Sequence, residues 1–274
     1  MPPGRSYSQD QIENACKHLE NTFGTDFFKK GVEYLKDSDP CGSGMGREYG
    51  AKGSLKLLQI WNKAREELVY AAIQGYFRPG LHSAVIGALS DDLSTLEEIP
   101  GIEPAARGLL HDDTFDRAAF TLSVASGYRR LANDIVFSGE PGSFFVSGKG
   151  YQVQCFSTET FETISLNLSR GELPPAGKFL EIQAEAMDNS NTATGKTIFY
   201  YDITALTIPL ETAGKILLES SSLLRPETAA IVLCKTHFPA LAGGVYRKLS
   251  GYAVTNKKTP GHHKAEGLLL YIPE

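Results

Sequence analysis

Apolar residues follow a helical period over the first 130 residues of the chain. The clearest stretch lies near the start, where spacings of three and four residues join a set of apolar side chains: Ile12, Ala15, Cys16, Leu19 and Phe23. Residues at this spacing share one face of a helix, so the pattern predicts an amphipathic helix. Ser8 as the N-cap and Gln11 at the reach-back position of a capping box predict where it begins.

Further helices are predicted at residues 27–35, 54–75, 81–97, 104–111 and 114–131. A glycine-rich stretch at residues 38–53 separates the second helix from the third. It lacks the Gly-Lys-Ser/Thr ending of a phosphate-binding loop, so it is interpreted as a connector. The chain up to about residue 130 is therefore predicted to be almost entirely helical.

The pattern changes after Asn133, where short β-rich runs replace the helical period. Strands are predicted at residues 134–137, 143–147 and 151–156, and Gly148-Lys149-Gly150 predicts a tight hairpin turn between the last two. The prediction continues with a helix at 178–188, a strand at 198–203 and a helix at 209–223. A continuous apolar run at 229–234 is typical of a strand buried on both faces, and a last strand is predicted at 268–272.

Strands that alternate with helices predict an α/β fold, with a mixed sheet flanked by helices and preceded by a helical N-terminal region. We expect two domains: residues 1–113 form the helical region, and residues 114–274 form the α/β domain.

Composition narrows the class of protein. The chain of 274 residues is 42% hydrophobic and 22% charged, close to the usual globular composition. It has no apolar run long enough for a membrane helix, and the N-terminus lacks the apolar core of a secretory signal. The four cysteines are scattered without a CxxC pair, which favours reduced, structural thiols. These features predict a cytoplasmic protein with no membrane partner.

Charge is unevenly distributed, although the net value of −5 gives no overall attraction to nucleic acid. Residues 91–116 carry eight acids against one base, Arg107, whereas residues 235–264 carry six bases and no acid. Such an asymmetry indicates either a binding face or two solvated surfaces.

The order of elements between residues 114 and 235 resembles the restriction-endonuclease-like fold of the PD-(D/E)XK superfamily. The typical motif falls on Gly142-Ser143-Phe144-Phe145-Val146 and on Gln152-Val153-Gln154-Cys155-Phe156. The resemblance implies one acid on the first strand, with a second acid and a lysine two residues apart on the next. In the family the acids hold Mg²⁺, which activates a water and neutralises phosphate charge. Many members add a glutamate from the preceding helix, a position that falls near Thr121 or Ser123.

The residues that would run this chemistry are absent from the aligned positions. Ser143 occupies the position of the first acid, Gln154 that of the second acid, and Phe156 that of the lysine. Neutral oxygen ligands hold a hard divalent cation poorly, so no metal, cofactor or catalytic residue is expected. The leading hypothesis is a non-catalytic protein that binds nucleic acid or a protein partner.

Two alternatives stay open. The first is a metal-dependent nuclease whose acids have relocated to Asp134 and Glu159, which would need Mg²⁺. The second is an unrelated α/β interaction module. His111-Asp112-Asp113 could supply metal ligands or simply the N-cap and first turn of the helix at 114.

Candidate nucleic-acid-binding residues lie in a basic loop near the C-terminus. Lys257, Lys258 and Lys264 surround His262-His263 and could contact phosphates without reading sequence. A solvated loop accounts for the same residues.

Overall fold

The computed structural model describes residues 7–38, 55–139, 142–157, 196–204, 209–219, 224–238, 240–241, 244–245 and 247–259. The chain divides into two compact units. Unit 1 comprises Met1–Ser94, Ala106–Phe115 and Phe238–Arg247, and unit 2 comprises Thr95–Ala105, Asp116–His237 and Lys248–Glu274. The expected domain division between residues 113 and 114 stays a prediction.

The helices predicted before Asn133 are present. They are α1 (Gln9–Phe23), α2 (Thr25–Ser38), α3 (Leu55–Gln74), α4 (Leu81–Leu96), α5 (Ile102–Arg107), a 3-10 turn (Gly108–Leu110) and α6 (Asp112–Arg130). The capping box is confirmed, since Ser8 Oγ accepts from Gln11 N–H and Gln11 Oε1 accepts from Ser8 N–H. The predicted start of α1 is confirmed because capping is a local interaction, whereas α2, α5 and α6 each begin two residues before the predicted start.

In unit 1, the helices α1, α2 and α3 pack around a core that includes Ile12, Leu19, Phe28 and Trp61. The rings of Phe28 and Trp61 have centroids 4.8 Å apart. Arg247 forms a two-pronged ion pair with the buried carboxylate of Asp92, at 2.5 and 2.9 Å. A buried charge needs such a partner, so this pair is a structural feature of the unit.

Unit 2 is built on a six-stranded mixed sheet. Its strands are β1 (Ile135–Phe137), β2 (Ser143–Val146), β3 (Tyr151–Phe156), β4 (Lys196–Asp202), β5 (Thr228–His237) and β8 (Lys248–Thr255), in the order β1-β2-β3-β4-β5-β8. The pairs β3–β4 and β4–β5 are parallel, and the other three are antiparallel. Two short strands that belong to unit 1, β6 (Ala240–Leu241) and β7 (Gly244–Val245), form a separate pair.

Helices cover both faces of the sheet. On one face, the ring of Tyr128 from α6 contacts that of Phe144. The hydroxyls of Tyr128 and Tyr200 share a hydrogen bond of 2.9 Å. On the other, α7 (Leu210–Glu219) packs Ala213 and Leu217 into a core with strand residues. The prediction of an α/β fold with a mixed sheet flanked by helices is confirmed.

Three sequence predictions have different outcomes. The run 229–234 is confirmed as a fully buried part of β5. The helix at 178–188 and the strand at 268–272 lie outside the described residues. The sequence does not predict β8, because this edge strand contains a glycine, Gly251, and exposes several positions, which weakens its β pattern.

Candidate functional site

The three motif positions, Ser143, Gln154 and Phe156, lie on one face at one end of the sheet. Ser143 is the direct cross-strand partner of Gln154 in the antiparallel pair β2–β3. Opposite residues in such a pair share a face, and Phe156 follows Gln154 by two residues on β3. We call the end of the sheet that carries Ser143, Gln154 and Phe156 the motif end. The alignment with the nuclease motif, together with the hairpin turn, therefore predicted that these three residues lie close together.

Burial, rather than exposure, characterises the motif positions. Ser143 and Gln154 each expose 6% of their surface. The Ser143 hydroxyl is hydrogen-bonded to that of Ser138, whose Oγ also donates to the Ser143 carbonyl at 3.1 Å. These contacts tie the hydroxyl to the turn between β1 and β2, and they supply no negative charge for a cation.

Phe156 is partly buried and packs against the hydrophobic core beneath α7. Its ring stacks on Tyr201 with centroids 5.2 Å apart and lies 6.2 Å from that of Phe199. In the nuclease motif this position carries a lysine that polarises water. A phenyl ring cannot donate a hydrogen bond, so here the position contributes packing instead of chemistry.

A fixed positive charge lies beside the motif positions. The guanidinium of Arg117, from α6, sits 5.2 Å from the Phe156 ring centroid, and its Nε donates to the Cys155 carbonyl at 3.0 Å. Gly142, next to Ser143, has φ +93°, and a Cβ at this position would lie 2.2 Å from Arg117 Nε. The glycine is therefore needed both for its backbone conformation and for the close approach of the arginine.

The helical position of the motif also lacks an acid. Thr121 of α6 is fully buried, and its hydroxyl donates to the Arg117 carbonyl at 2.7 Å within the helix. Burial raises the pKa of the neighbouring Cys155 thiol to about 12, so this thiol stays protonated.

Two carboxylates, those of Asp202 and Asp116, lie near the motif end at positions that do not match the motif. Asp202 ends β4, and burial raises the pKa of its carboxyl despite hydrogen bonds from the Thr204 backbone and hydroxyl. Asp116 of α6 raises the Asp202 pKa further, whereas Lys235 of β5 lowers it. The signal that could have located Asp202 is its place at the carboxyl end of a parallel strand, where α/β proteins often bind ligands.

Of the two relocated acids proposed from sequence, Asp134 does not lie at the motif end. Asp134 precedes β1 at the opposite end of the sheet, where its carbonyl accepts from Ser147 N–H at 2.8 Å. Its carboxylate pairs with Arg129 at 3.2 Å. Glu159 lies outside the described residues.

Asp112 and Asp113 lie in the first turn of α6, as the capping interpretation predicted. Asp112 Oδ1 accepts from the backbone N–H of Lys56 at 2.9 Å, at the start of α3. The carboxylate thus stabilises the beginning of a second helix as well. Within the described part of the chain, no group of three or more His, Cys, Asp or Glu side chains is arranged to hold a metal ion.

The candidate nucleic-acid-binding lysines follow β8. Lys257 and Lys258 are exposed. Asn256 N–H donates to the Ala229 carbonyl at 2.9 Å, and Thr259 Oγ1 donates to that of Thr228 at 2.7 Å. The turn that carries these two lysines is therefore attached to the start of β5. Lys264 lies outside the described residues.

No family model, curated protein or solved structure matches this chain. Among the helices that the structure describes, none is long and apolar enough to cross a bilayer.

Proposed function

We propose that the α/β part of this chain is a restriction-endonuclease-like domain that binds nucleic acid without cleaving it. The observation that carries the proposal is the register of β2 and β3, which places Ser143 directly opposite Gln154 with Phe156 two residues further on. This is the geometry in which the nuclease motif would hold its acids and lysine. Here the same positions hold neutral, largely buried side chains.

The order of elements supports the fold assignment. A helix, α6, precedes an antiparallel meander of β1, β2 and β3, and β4 then joins β3 in parallel. This arrangement agrees with the family core that the sequence resembles. β5 extends the sheet in the same direction.

Electrostatics supports the loss of cleavage. A divalent cation near Ser143 and Gln154 would meet no carboxylate at the motif positions, and it would be repelled by the nearby guanidinium of Arg117. Mg²⁺ gives up its water reluctantly and binds proteins through carboxylates, so neutral ligands beside a cation disfavour it. Binding then remains as the activity of such a domain.

The test combines a cleavage assay with a binding assay on the full-length protein. Supercoiled plasmid and single-stranded DNA are incubated with Mg²⁺ or Mn²⁺ and resolved on gels, while fluorescence anisotropy follows binding of labelled DNA and RNA. We expect binding with no metal-dependent cleavage. Failure to bind any nucleic acid would contradict the proposal and favour a protein partner.

A second candidate function is a metal-dependent nuclease with acids in new positions, favoured by Asp202 and Asp116 near the motif end. Cleavage that disappears in Asp202→Asn but persists in Asp134→Asn would establish it. The matched control is informative because Asp134 lies at the opposite end of the sheet.

A further inference from the structure

The end of the sheet opposite the motif end gathers basic side chains from separate parts of unit 2. We call it the basic end, and it consists of Arg129, Arg130, Lys149, Lys196, Arg225, Lys257 and Lys258. Only the last two belong to the basic stretch that the sequence singles out.

Strand direction explains why these residues meet. The parallel strands β3, β4 and β5 all begin at this end, and the antiparallel strands β2 and β8 finish there. The turn after β2 therefore carries Lys149, the first residue of β4 is Lys196, and Arg225 precedes β5. Helix α6 also ends there, because its last residues lead directly into β1.

Among the described residues at this end, bases outnumber acids. The strands, turns and helix ends that meet there carry Asp134, Glu219 and Glu227, and Arg130 donates to Thr95 Oγ1 at 3.3 Å, near Glu97 and Glu98 in the sequence. Asp134 is already paired with Arg129 at 3.2 Å. The excess of positive charge stands out because the whole chain carries −5. A local concentration of one sign attracts ligands of the opposite sign even when the net charge opposes them.

The cations are presented on ordered structure rather than on a free loop. Lys149 Nζ donates to Asn133 Oδ1 at 2.5 Å, and Lys196 Nζ lies 5.9 Å from the centroid of the Tyr151 ring. The Arg225 carbonyl accepts from Asn256 Nδ2 at 2.7 Å, which joins the segments before β5 and after β8. Less conformational entropy is lost on binding when the framework is already in place.

The dimensions of the basic end suit an extended polyanion. Neighbouring strands lie about 4.8 Å apart, so the three spacings from β3 to β8 cover about 14 Å. Duplex nucleic acid carries one charge for about every 1.7 Å of its axis, and a surface of this width can therefore contact several phosphates.

Among the described aromatic residues at this end, Tyr128 and Tyr151 are buried and offer no ring for base stacking, whereas Phe145, next to the last residue of β2, is 38% exposed. Seven cations beside one partly exposed ring favour contacts to the duplex backbone over base stacking. Proteins that bind single strands use exposed rings as stacking platforms, whereas duplex backbone contacts need only cations.

We propose that the basic end binds the phosphate backbone of double-stranded nucleic acid without reading its sequence. The inference rests on the proposed nucleic-acid-binding function and assigns it to a surface away from the motif positions.

The test compares two triple charge reversals in the full-length protein. One changes Lys149, Lys257 and Lys258 to Glu, and the control changes three lysines that are exposed elsewhere, Lys17, Lys30 and Lys215, to Glu. Both variants acquire the same net charge. Anisotropy with a labelled mixed-sequence duplex of about 30 base pairs is measured between about 50 and 200 mM KCl.

We expect the basic-end variant to lose at least about 10-fold in affinity, with the slope of log K against log salt reduced by about three. The control is expected to lose clearly less and to keep its slope. An equal loss in both variants would overturn the inference but leave nucleic-acid binding in place. No binding to any nucleic acid would overturn both proposals.

Two further outcomes would reassign the surface. Preferred binding of single strands, unaffected by the basic-end changes, would overturn the duplex assignment. Binding to phosphatidylserine vesicles that depends on the same lysines, with no duplex binding, would show that the patch recognises a lipid surface instead.

Discussion

The two ends of the sheet in unit 2 use polar residues in opposite ways. At the motif end, Ser143 and Gln154 are buried and Arg117 is engaged with Phe156 and the Cys155 carbonyl. At the basic end, cations such as Lys149 and Lys257 are exposed on an ordered framework. We propose that the motif end serves stability and that the basic end serves binding. Substitutions at each end can separate these roles.

The largest effect is expected for Phe156→Ala. Truncating a ring that packs on Tyr201 should lower the free energy of unfolding by about 3 kcal/mol, because contacts are lost and a cavity forms. Phe145→Ala on β2, where the ring is 38% exposed, is the matched control and should cost clearly less. Urea denaturation measures both, and equal losses would argue against a structural role particular to the motif end.

A smaller loss, about 2 kcal/mol, is expected for Gly142→Ala. The positive φ disfavours alanine, and the added Cβ would displace Arg117 from its hydrogen bond with Cys155. Gly148→Ala is the control, because φ is +72° there but a Cβ meets nothing within 4 Å. The control should lose about 1 kcal/mol from backbone strain alone. A control that loses as much as Gly142→Ala would show that Arg117 does not contribute.

Asp202→Asn tests the buried acid at the end of β4 through the pH dependence of stability. Burial raises the folded-state pKa of Asp202 above the ordinary value for an aspartate, so the protonated form is favoured in the fold. Its stabilising contribution is present at low pH and is lost as pH rises through the folded pKa. The stability of Asp202→Asn relative to wild type should therefore increase from low pH toward neutral pH.

Urea midpoints measured across this pH range, with the slope of the transition checked for constancy, give the difference. A relative stability that falls with rising pH would mean that the ionised carboxylate is the favoured form. That outcome would strengthen the case for a bound cation.

The smallest effect on stability is expected for the triple change of Lys149, Lys257 and Lys258 to Glu. Exposed side chains contribute little to folding, so the free energy of unfolding should change by about 0.5 kcal/mol or less per site. Thermal denaturation, with the Lys17, Lys30 and Lys215 triple as control, measures it. A large loss of stability in the basic-end variant alone would mean that the basic end also stabilises the fold. The two ends of the sheet would then not differ in role.

Part of this picture could be predicted from the chain because it depends on local interactions. The turn at Gly148-Lys149-Gly150 and the β-rich runs beside it predicted the hairpin that aligns Ser143 with Gln154. The capping box at Ser8 was predicted for the same reason. The edge strand β8 was missed because its pairing with β5 does not depend on a strong pattern of its own.

The sequence by itself determined the helical period before Asn133, the change to strands after it, and the neutral residues at the motif positions. Only the tertiary structure decided that Arg117 lies over Phe156, that Asp202 lies within the influence of Asp116, and that distant cations share one end of the sheet. Periodicity and turn chemistry act over a few residues. The spatial grouping of charges depends on strand order and direction, which are set by packing between segments far apart in the chain.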